Sequence, residues 1–300
     1  MSEQPIITVI TPSLNHGRFL GANLASVALQ GVAPVEQLIL DGGSTDETAD
    51  VIARFPHAEL VSLPESNQSE ALNAGFARAK GKYICWLNTD DIVMPGAFEA
   101  ALARLETGGE RVYLTSHYLF VNATLELVRK NRLPLFSSFL YRNYAVYLPT
   151  SGSFVTNTVA KDGISLDASL DILMDRDYAL QLHEAGYRFE HIDDYLSAFR
   201  LHEAQKSGVG SLSANQEDPR AQRRVAERNQ ISQKYGGVYW RQGRVLPAHP
   251  ALSRVAWASL VGKLRLNRLR VWAEEALGRR DMAPTLARWV HQLETHLAAS

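Results

Sequence analysis

The chain has 300 residues, 46% of them apolar, enough to bury a sizeable core in one large domain or one domain with an appendage, and too apolar for general disorder. Lys and Arg number 31 against 32 Asp and Glu, so the formal net charge of -1 excludes a chain-wide basic field for nucleic acid and leaves any anionic ligand to local devices. A lone cysteine, Cys85, excludes an internal disulfide and fits a reducing compartment as apolar filler, while the absence of a signal-like start or of an apolar run near the ~18 residues that span a bilayer points to a soluble protein, or at most one bound to a membrane surface.

In chain order, IITVIT (6–11) is a short β-branched apolar run that predicts a central strand ended by Pro12. Leu20, Leu24, Val27 and Ala28 recur at helical spacing between about Arg18 and Gln30, and QLILD (37–41) returns to strand character. Ser44 and Glu47 read as a capping box for a short helix through Ala49, Ile52 and Ala53. A strand near 59–62, a helix from about Ser69 to Ala79 and a strand from Lys82 to Leu87 continue the alternation, which predicts an α/β fold with a mostly parallel central sheet flanked by helices. Pro95 fits the first turn of the next helix, Arg111–Val121 reads as strand, and Tyr178, Leu182 and Ala185 form a helical stripe ending at Gly186. RFEHI and YLSAF suggest two further strands, SGVGSLS (207–213) a loop, and the rest a helical C-terminal extension. The expected organisation is a catalytic domain over 1–213, divided into halves 1–115 and 116–213, followed by 214–300.

In parallel α/β sheets, ligands gather at the carboxyl ends of strands, which singles out the TPSLN turn (11–15), Asp41 in the DGGS turn and the NTDD turn (88–91). Asp41 is either a turn former or an acceptor for a nucleobase or ribose, with Gly42 and Gly43 admitting a flat ligand. Asp90 and Asp91, adjacent after YICWL, either sit exposed on a turn or hold a hard cation such as Mg2+ or Mn2+ together with diphosphate oxygens.

ITVITPSLN, LDGGSTDET and EALNAGFARAKGKYICWLNTDD, in that order and spacing, resemble the nucleotide-binding half of family 2 glycosyltransferases with the GT-A fold, over roughly residues 5–207, and among them the bacterial enzymes of O-antigen, capsule or similar surface polysaccharides. The resemblance implies an inverting, metal-dependent transfer from a nucleotide-sugar, UDP- or dTDP-linked, to a glycan or lipid-linked glycan. It places Thr11, Pro12, Ser13 and Asp41 at the base and ribose, Asn73 and Gly75 on the nucleotide side of the cleft, Asp90 near the ribose and donor sugar, and Asp91 on Mn2+ or Mg2+. MDRDYALQLHEAGYRF resembles the segment with the family's Glu-Asp pair; Met174 stands where the Glu would be, and Asp175 keeps the place of the base, with Asp177 as competitor and helix N-terminal stabilisation as the plain alternative. Arg200 and His202 match an Arg-x-His element that touches the metal or diphosphate, and a structural histidine is the alternative for His202. Leu14 stands where relatives commonly have an aromatic, which weakens base stacking there.

A nucleotidyltransferase would carry a Gly-rich basic loop after the first strand, and TPSLNHGRF does not; a non-catalytic nucleotide-sugar or glycan-binding module would need no Asp175. Acceptor contacts are expected within 130–160, including Tyr141, Tyr144, Tyr147 and 151–154, unless these residues pack in the core. Residues 251–280 carry seven basic against two acidic side chains, with Val255, Ala256, Leu260, Leu264, Trp272 and Ala276 at helical spacing. Either the stripe packs on the catalytic domain, or the helix rests on an anionic membrane at the inner face of the cytoplasmic membrane. No nucleic-acid partner is expected.

Overall fold

The structure, a computed structural model, describes residues 4–138, 141–142, 148–203, 218–236, 239–241, 244–246, 258, 262, 265–274 and 281–300. The first half alternates as predicted: β1 (Ile7–Ser13), α1 (Gly17–Ala28), β2 (Val35–Asp41), α2 (Thr48–Ile52), β3 (Ala58–Ser62), α3 (Gln68–Arg78) and β4 (Tyr83–Trp86). Then come β5 (Ile92–Val93), α4 (Ala97–Leu105), β6 (Val112–Val121), β7 (Leu127–Asn131), β8 (Ser153–Thr156), α5 (Met174–Glu184) and β9 (Arg188–Arg200). Helix α6 (Pro219–Tyr235), a β10–β11 ribbon (Tyr239–Arg241 with Arg244–Leu246), α7 (265–274) and α8 (Met282–Ala299) complete the described chain.

Among these residues the main sheet runs β3-β2-β1-β4-β8-β6-β9-β5, with β7 also on β6. It is parallel from β3 to β4, and beyond that β8 pairs antiparallel with both β4 and β6 while β6 and β9 are parallel. The expected mostly parallel sheet therefore describes the first half, where each crossover is helical; later strands return by other routes.

Pro12 does not end β1, which runs to Ser13 in register with Asp41. The Pro12 carbonyl accepts from Thr89 Oγ1 at 2.6 Å, on the side where β4 has already stopped at Trp86, so the missing N–H of Pro12 falls there and breaks no ladder bond. The expected capping box at Ser44 is also absent, because the Ser44 hydroxyl donates to Asp41; the box forms instead at Asn67, whose side chain and that of Glu70 exchange bonds with each other's backbone amides. Pro95 lies just before α4, whose N-cap is Gly96 at φ 74°. RFEHI and YLSAF, read as two strands, form one, β9, with a register irregularity near Asp193.

The apolar residues collect on both faces of the sheet. Ile10, Leu40, Phe76, Trp86, Tyr113 and Tyr178 pack with Ile231 of α6 on one side, and Leu20, Leu24, Ile39 and Ile52 pack with Leu286, Trp289 and Leu293 of α8 on the other. Those three α8 side chains are buried, worth about 1.5–3 kcal/mol each, and Trp289 Nε1 donates to the Val93 carbonyl at 2.9 Å. Helices α6 and α8, in the expected helical C-terminal segment, thus pack on the core of the first 200 residues. No helix among the described residues is long and apolar enough to cross a membrane. Residues 204–217, and Arg254, Val255, Ala256, Leu260, Lys263, Leu264, Glu275, Ala276, Arg279 and Arg280 of the basic segment, lie outside the described residues.

Candidate active site

The carboxyl ends of β1, β2 and β4 meet as three turns that hold one another. Asn15, at φ 53°, accepts from the Thr45 amide at 2.9 Å and donates its own amide to Ser44 Oγ at 2.8 Å, clasping the first turn to the second. Asp41 accepts from the Ser44 amide at 3.0 Å and from the Ser44 hydroxyl, so its carboxylate shapes its own turn; of the two sequence alternatives, the turn former is what the hydrogen bonds display. The protein leaves room for a Cβ at Gly42, its nearest neighbours lying at 3.6 Å, so packing within the chain does not require glycine there.

The NTDD turn is held from below. Asn23 of α1, fully buried, donates through Nδ2 to the Asn88 carbonyl at 2.8 Å and the Asp91 carbonyl at 2.9 Å, while its Oδ1 accepts from Gln37 Nε2 at 2.7 Å; Gln37 also donates to Thr11 Oγ1 at 3.0 Å. From the other side Ser151 Oγ accepts from the Asn88 amide at 3.1 Å, and Gly152, at φ 75°, brings its amide to the Trp86 carbonyl at 2.9 Å. A Cβ at Gly152 would meet the Ser197 Cβ at 2.6 Å, so this turn requires glycine twice over.

Asp91 is fully buried, and Oδ1 accepts the Arg200 amide at 3.0 Å. Its Oδ2 is buried with no hydrogen bond of ordinary geometry among the described residues, and the neighbouring Ser151 hydroxyl, which accepts from the Asn88 amide, keeps its own proton to donate toward this carboxyl. Burial first, and the charge of Asp90 second, push the Asp91 carboxyl well above the usual carboxylate range, with Ser151 and Arg200 offsetting only part of this. Asp90 Oδ2 lies 3.0 Å from His202 Nε2, and the His202 ring packs 4.4 Å from that of Phe19. Phe19 is the floor of the corner: the guanidinium carbons of Arg18 and Arg200 lie 4.4 and 4.9 Å from its centroid. His16, half-buried, faces His202 with ring centroids 5.8 Å apart, and burial lowers its pKa against the pull of Asp90. Ser13 Oγ is buried and unbonded among the described residues.

The structure thus gathers Ser13, Asp90, Asp91, Arg200 and His202 into one corner. Three other expected positions differ. Thr11 is fully buried and belongs to the Gln37–Asn23 network, because its side chain points under α1. Gly75 packs on the sheet, where a Cβ would come within 2.7 Å of Leu40 Cδ1, so glycine serves helix–sheet contact and does not face a nucleotide. Asn73 exchanges both side-chain bonds with the main chain of Leu166, at 2.9 and 2.8 Å. Pro12 is half-buried beside them.

No group of three or more His, Cys, Asp or Glu among the described residues is arranged to hold an ion. The donor set still fits a hard cation, which takes one or two carboxylates and completes its shell from diphosphate and water: Asp91 Oδ2 is a buried carboxyl oxygen with no hydrogen bond of ordinary geometry, and burial beside Asp90 leaves this carboxyl short of positive charge. His202, with Nε2 on Asp90, is placed as the partner of that carboxylate more than as a ligand of its own.

Asp175 and Asp177 begin α5, and their surroundings separate them. Asp177 is fully buried, bonded to Lys234 Nζ at 2.9 Å and Gln181 Nε2 at 2.6 Å, on the side that faces α6. Asp175 is half-buried; its Oδ1 accepts the Arg176 amide at 2.7 Å, and Tyr113 and Tyr141 lie near enough to feel its charge. Burial pushes its pKa up to about 6, against the opposing Arg176 amide and guanidinium. Within the expected acceptor segment, Tyr141 and Phe154 are buried in the core and offer no open stacking face; Tyr144 and Tyr147 lie outside the described residues.

Sequence reasoning included Asn15 in the TPSLN turn but passed over Phe19, Asn23 and Gln37. A signal existed for the last two, since each is a polar side chain within an otherwise apolar stripe, where an unpaired amide would be costly.

Several known proteins resemble this chain. An uncharacterized glycosyltransferase of Nostoc is 32% identical over 106 residues, 34% of this chain and 33% of that protein. A chondroitin synthase of Pasteurella multocida is 32% identical over 102 residues, 33% of this chain but 11% of that one. The matched stretch is therefore a third or less of each relative's length. Among solved structures, a mannosyltransferase of Pyrobaculum calidifontis in complex with GDP-Man and Mn2+ superposes with a TM-score of 0.56 over 99% of this chain and 86% of that one at 17% identity, and S. aureus TarS in complex with UDP with 0.55 over 65% and 60% at 15%. These likenesses give the fold, that of the GT-A glycosyltransferases. The family described as Glycosyl transferase family 2 matches residues 8–160, just over half of the chain and all three clasped turns, and this chain belongs to that family.

Proposed function

We propose that the protein transfers a sugar, with inversion, from a nucleoside-diphosphate sugar to a hydroxyl of a glycan or lipid-linked glycan. The observation that carries this is Asp91: a fully buried carboxyl with one oxygen free of any hydrogen bond of ordinary geometry, beside Asp90 at the carboxyl end of β4, in a family 2 chain. A Mn2+ or Mg2+ ion bound there would neutralise charge on the departing diphosphate. Asp91 is its ligand, His202 fixes Asp90 toward the ribose and donor sugar, and Arg200 adds positive charge on the diphosphate side. Ser13 Oγ and the Asp41 turn face the nucleoside, while Thr11 and Asn73 set the turns from within.

Asp175 is the general base. Near neutral pH a carboxylate of pKa about 6 is ionised yet still basic, and with Oδ1 held by the Arg176 amide its second oxygen can take the acceptor's hydroxyl proton as that oxygen bonds to the anomeric carbon. The bond from that carbon to the diphosphate breaks in the same displacement, so configuration inverts. UDP- or dTDP-sugars are the proposed donors; neighbouring structures carry UDP, UDP-GlcNAc and GDP-Man, so GDP-mannose belongs in the test. A chondroitin synthase among the relatives supports a glycan acceptor, and surface-polysaccharide assembly on the cytoplasmic side is the proposed setting. Helix α7 supports contact there with an anionic membrane: Arg265, Arg268 and Arg270 are exposed, interleaved with Leu266, Leu269 and Trp272 at 49, 60 and 66% exposure, so the expected stripe at Trp272 faces outward.

The test is thermal unfolding with UDP-GlcNAc, dTDP-rhamnose and GDP-mannose, each with Mn2+ or EDTA. A ligand at about 100 times its Kd adds about 2.7 kcal/mol, a resolvable rise in Tm. At least one donor should stabilise the wild type only with Mn2+, and Asp91→Asn should abolish that difference. No response to any donor, or an equal one in EDTA, refutes the proposal.

A further inference from the structure

Helix α6 lies beyond the stretch that the family matches, and its Glu227 carboxylate contacts the residues that lead into α5. Glu227 is only 4% exposed. Its Oε1 accepts the Asp171 amide at 2.9 Å, and its Oε2 accepts the amides of Ile172 and Leu173, each at 2.9 Å. The first amides of a helix and the residues leading into it have no intrahelical acceptor, and the helix dipole favours negative charge there. A buried carboxylate taking three such bonds is a strong, charge-assisted anchor. Among the described residues, Arg223 Nε, at 3.0 Å on Oε1, shares it.

The anchored segment ends one residue before Met174 and two before Asp175. Where the family resemblance leads one to expect an acid at 174, this chain has a buried thioether that accepts from Ser69 Oγ at 3.0 Å. We propose, resting on the assignment of Asp175 as the base, that Glu227 is its positioning residue, supplying from α6 the acidic neighbour that position 174 lacks.

The charges around Asp175 permit a discriminating measurement. From its own helix come Arg176 and its amide; Tyr113 of β6 and Tyr141 lie close by, and from α6 comes Glu227, whose charge raises the Asp175 pKa. Arg228 of α6 acts on Arg176. Removing that charge lowers the Asp175 midpoint by itself, so the midpoint reports how closely Glu227 acts on the base, whereas a side chain that merely secured α6 to the domain would change stability and leave kcat alone.

The experiment compares the wild type with Glu227→Gln, Ile231→Ala and Asp175→Asn in the full chain. Ile231 is buried on the same helix and makes none of these bonds, so its truncation loosens α6 in general. The Asp175 carboxyl is titrated by NMR on protein labelled at aspartate carboxyl carbons, assigned by its loss in Asp175→Asn, and turnover is measured with the donor found by thermal unfolding. Glu227→Gln is expected to lower the Asp175 midpoint and reduce kcat by roughly 10- to 100-fold with the donor KM unchanged, the size of effect a displaced base produces. Ile231→Ala is expected to lower Tm with the midpoint unmoved. If Asp175→Asn is inactive while Glu227→Gln has a wild-type midpoint and kcat, the inference fails and the base assignment stands; if Asp175→Asn turns over normally, both fail. Should Glu227→Gln not fold, Glu227→Asp, one methylene too short to hold all three amides, gives the same readouts.

Discussion

Asn23 offers the sharpest test of how the fold builds the site, because it lies under the NTDD turn and makes no contact that chemistry would require. In Asn23→Ala the Asp91 carbonyl loses its only hydrogen bond among those observed, a cost of about 1–3 kcal/mol for a buried stranded acceptor. The Asn88 carbonyl keeps the Asp91 amide and Gln37 Nε2 keeps Thr11, so each loses one bond of two, about 0.5–1.5 kcal/mol apiece. Together these give about 2–6 kcal/mol, which at roughly 2–4 °C per kcal/mol lowers Tm by about 5–20 °C. The loss should appear in calorimetry and urea denaturation without a change in m, and Mn2+-dependent nucleotide binding should weaken as Asp90 and Asp91 lose their support. A loss under 0.5 kcal/mol with unaltered nucleotide binding would refute the account of a turn fixed from beneath.

Asp175 should cost stability where it is useful. Its folded pKa of about 6 exceeds the ordinary 3.8, so the folded state binds the proton more tightly and stability is lost as pH rises from about 4 through 6. Asp175→Asn is therefore expected to be more stable than the wild type by about 1–3 kcal/mol at pH 7.5 and no more stable at pH 4, measured by urea titration, while the wild-type turnover falls as pH drops below about 6. Asp177→Asn should behave oppositely, losing about 1.5–3 kcal/mol with the Lys234 contact and leaving kcat within a few-fold of wild type; a large drop in kcat with intact stability would move the base to Asp177. Arg265, Arg268 and Arg270 changed together to Glu should end cosedimentation with anionic vesicles at low salt, since each basic residue near such a surface contributes about 1 kcal/mol; equal recovery with neutral vesicles, or none in the wild type, would leave α7 without a membrane role.

The sequence by itself determined the alternation from β1 to β4 and the three turns at its strand ends, because those features are local: β-branched runs, helical stripes and turn residues act within a few positions of themselves. It also marked NTDD, where two acids follow an apolar segment, and the resemblance of MDRDYALQLHEAGYRF to the family's base-bearing segment marked Asp175. Which acid faces what was beyond it. Asp175 and Asp177 are two residues apart with the same helix propensity, and only the docking of α6, placing Lys234 on one and leaving the other toward Tyr113 and Tyr141, separates them. Gly75 looked like a ligand-facing glycine until Leu40 and Ile10 were seen to press against it, and Thr11 looked like a ligand contact until Gln37 claimed its hydroxyl. Most distant of all is Glu227, more than 50 residues from the amides it holds, in a helix whose own sequence reads only as charged and amphipathic. A hydrogen bond of 2.9 Å between such remote positions has no local cause; it exists because burying Ile231 on the core sets α6 at one rotation and one height, and that placement carries Glu227 to the start of α5.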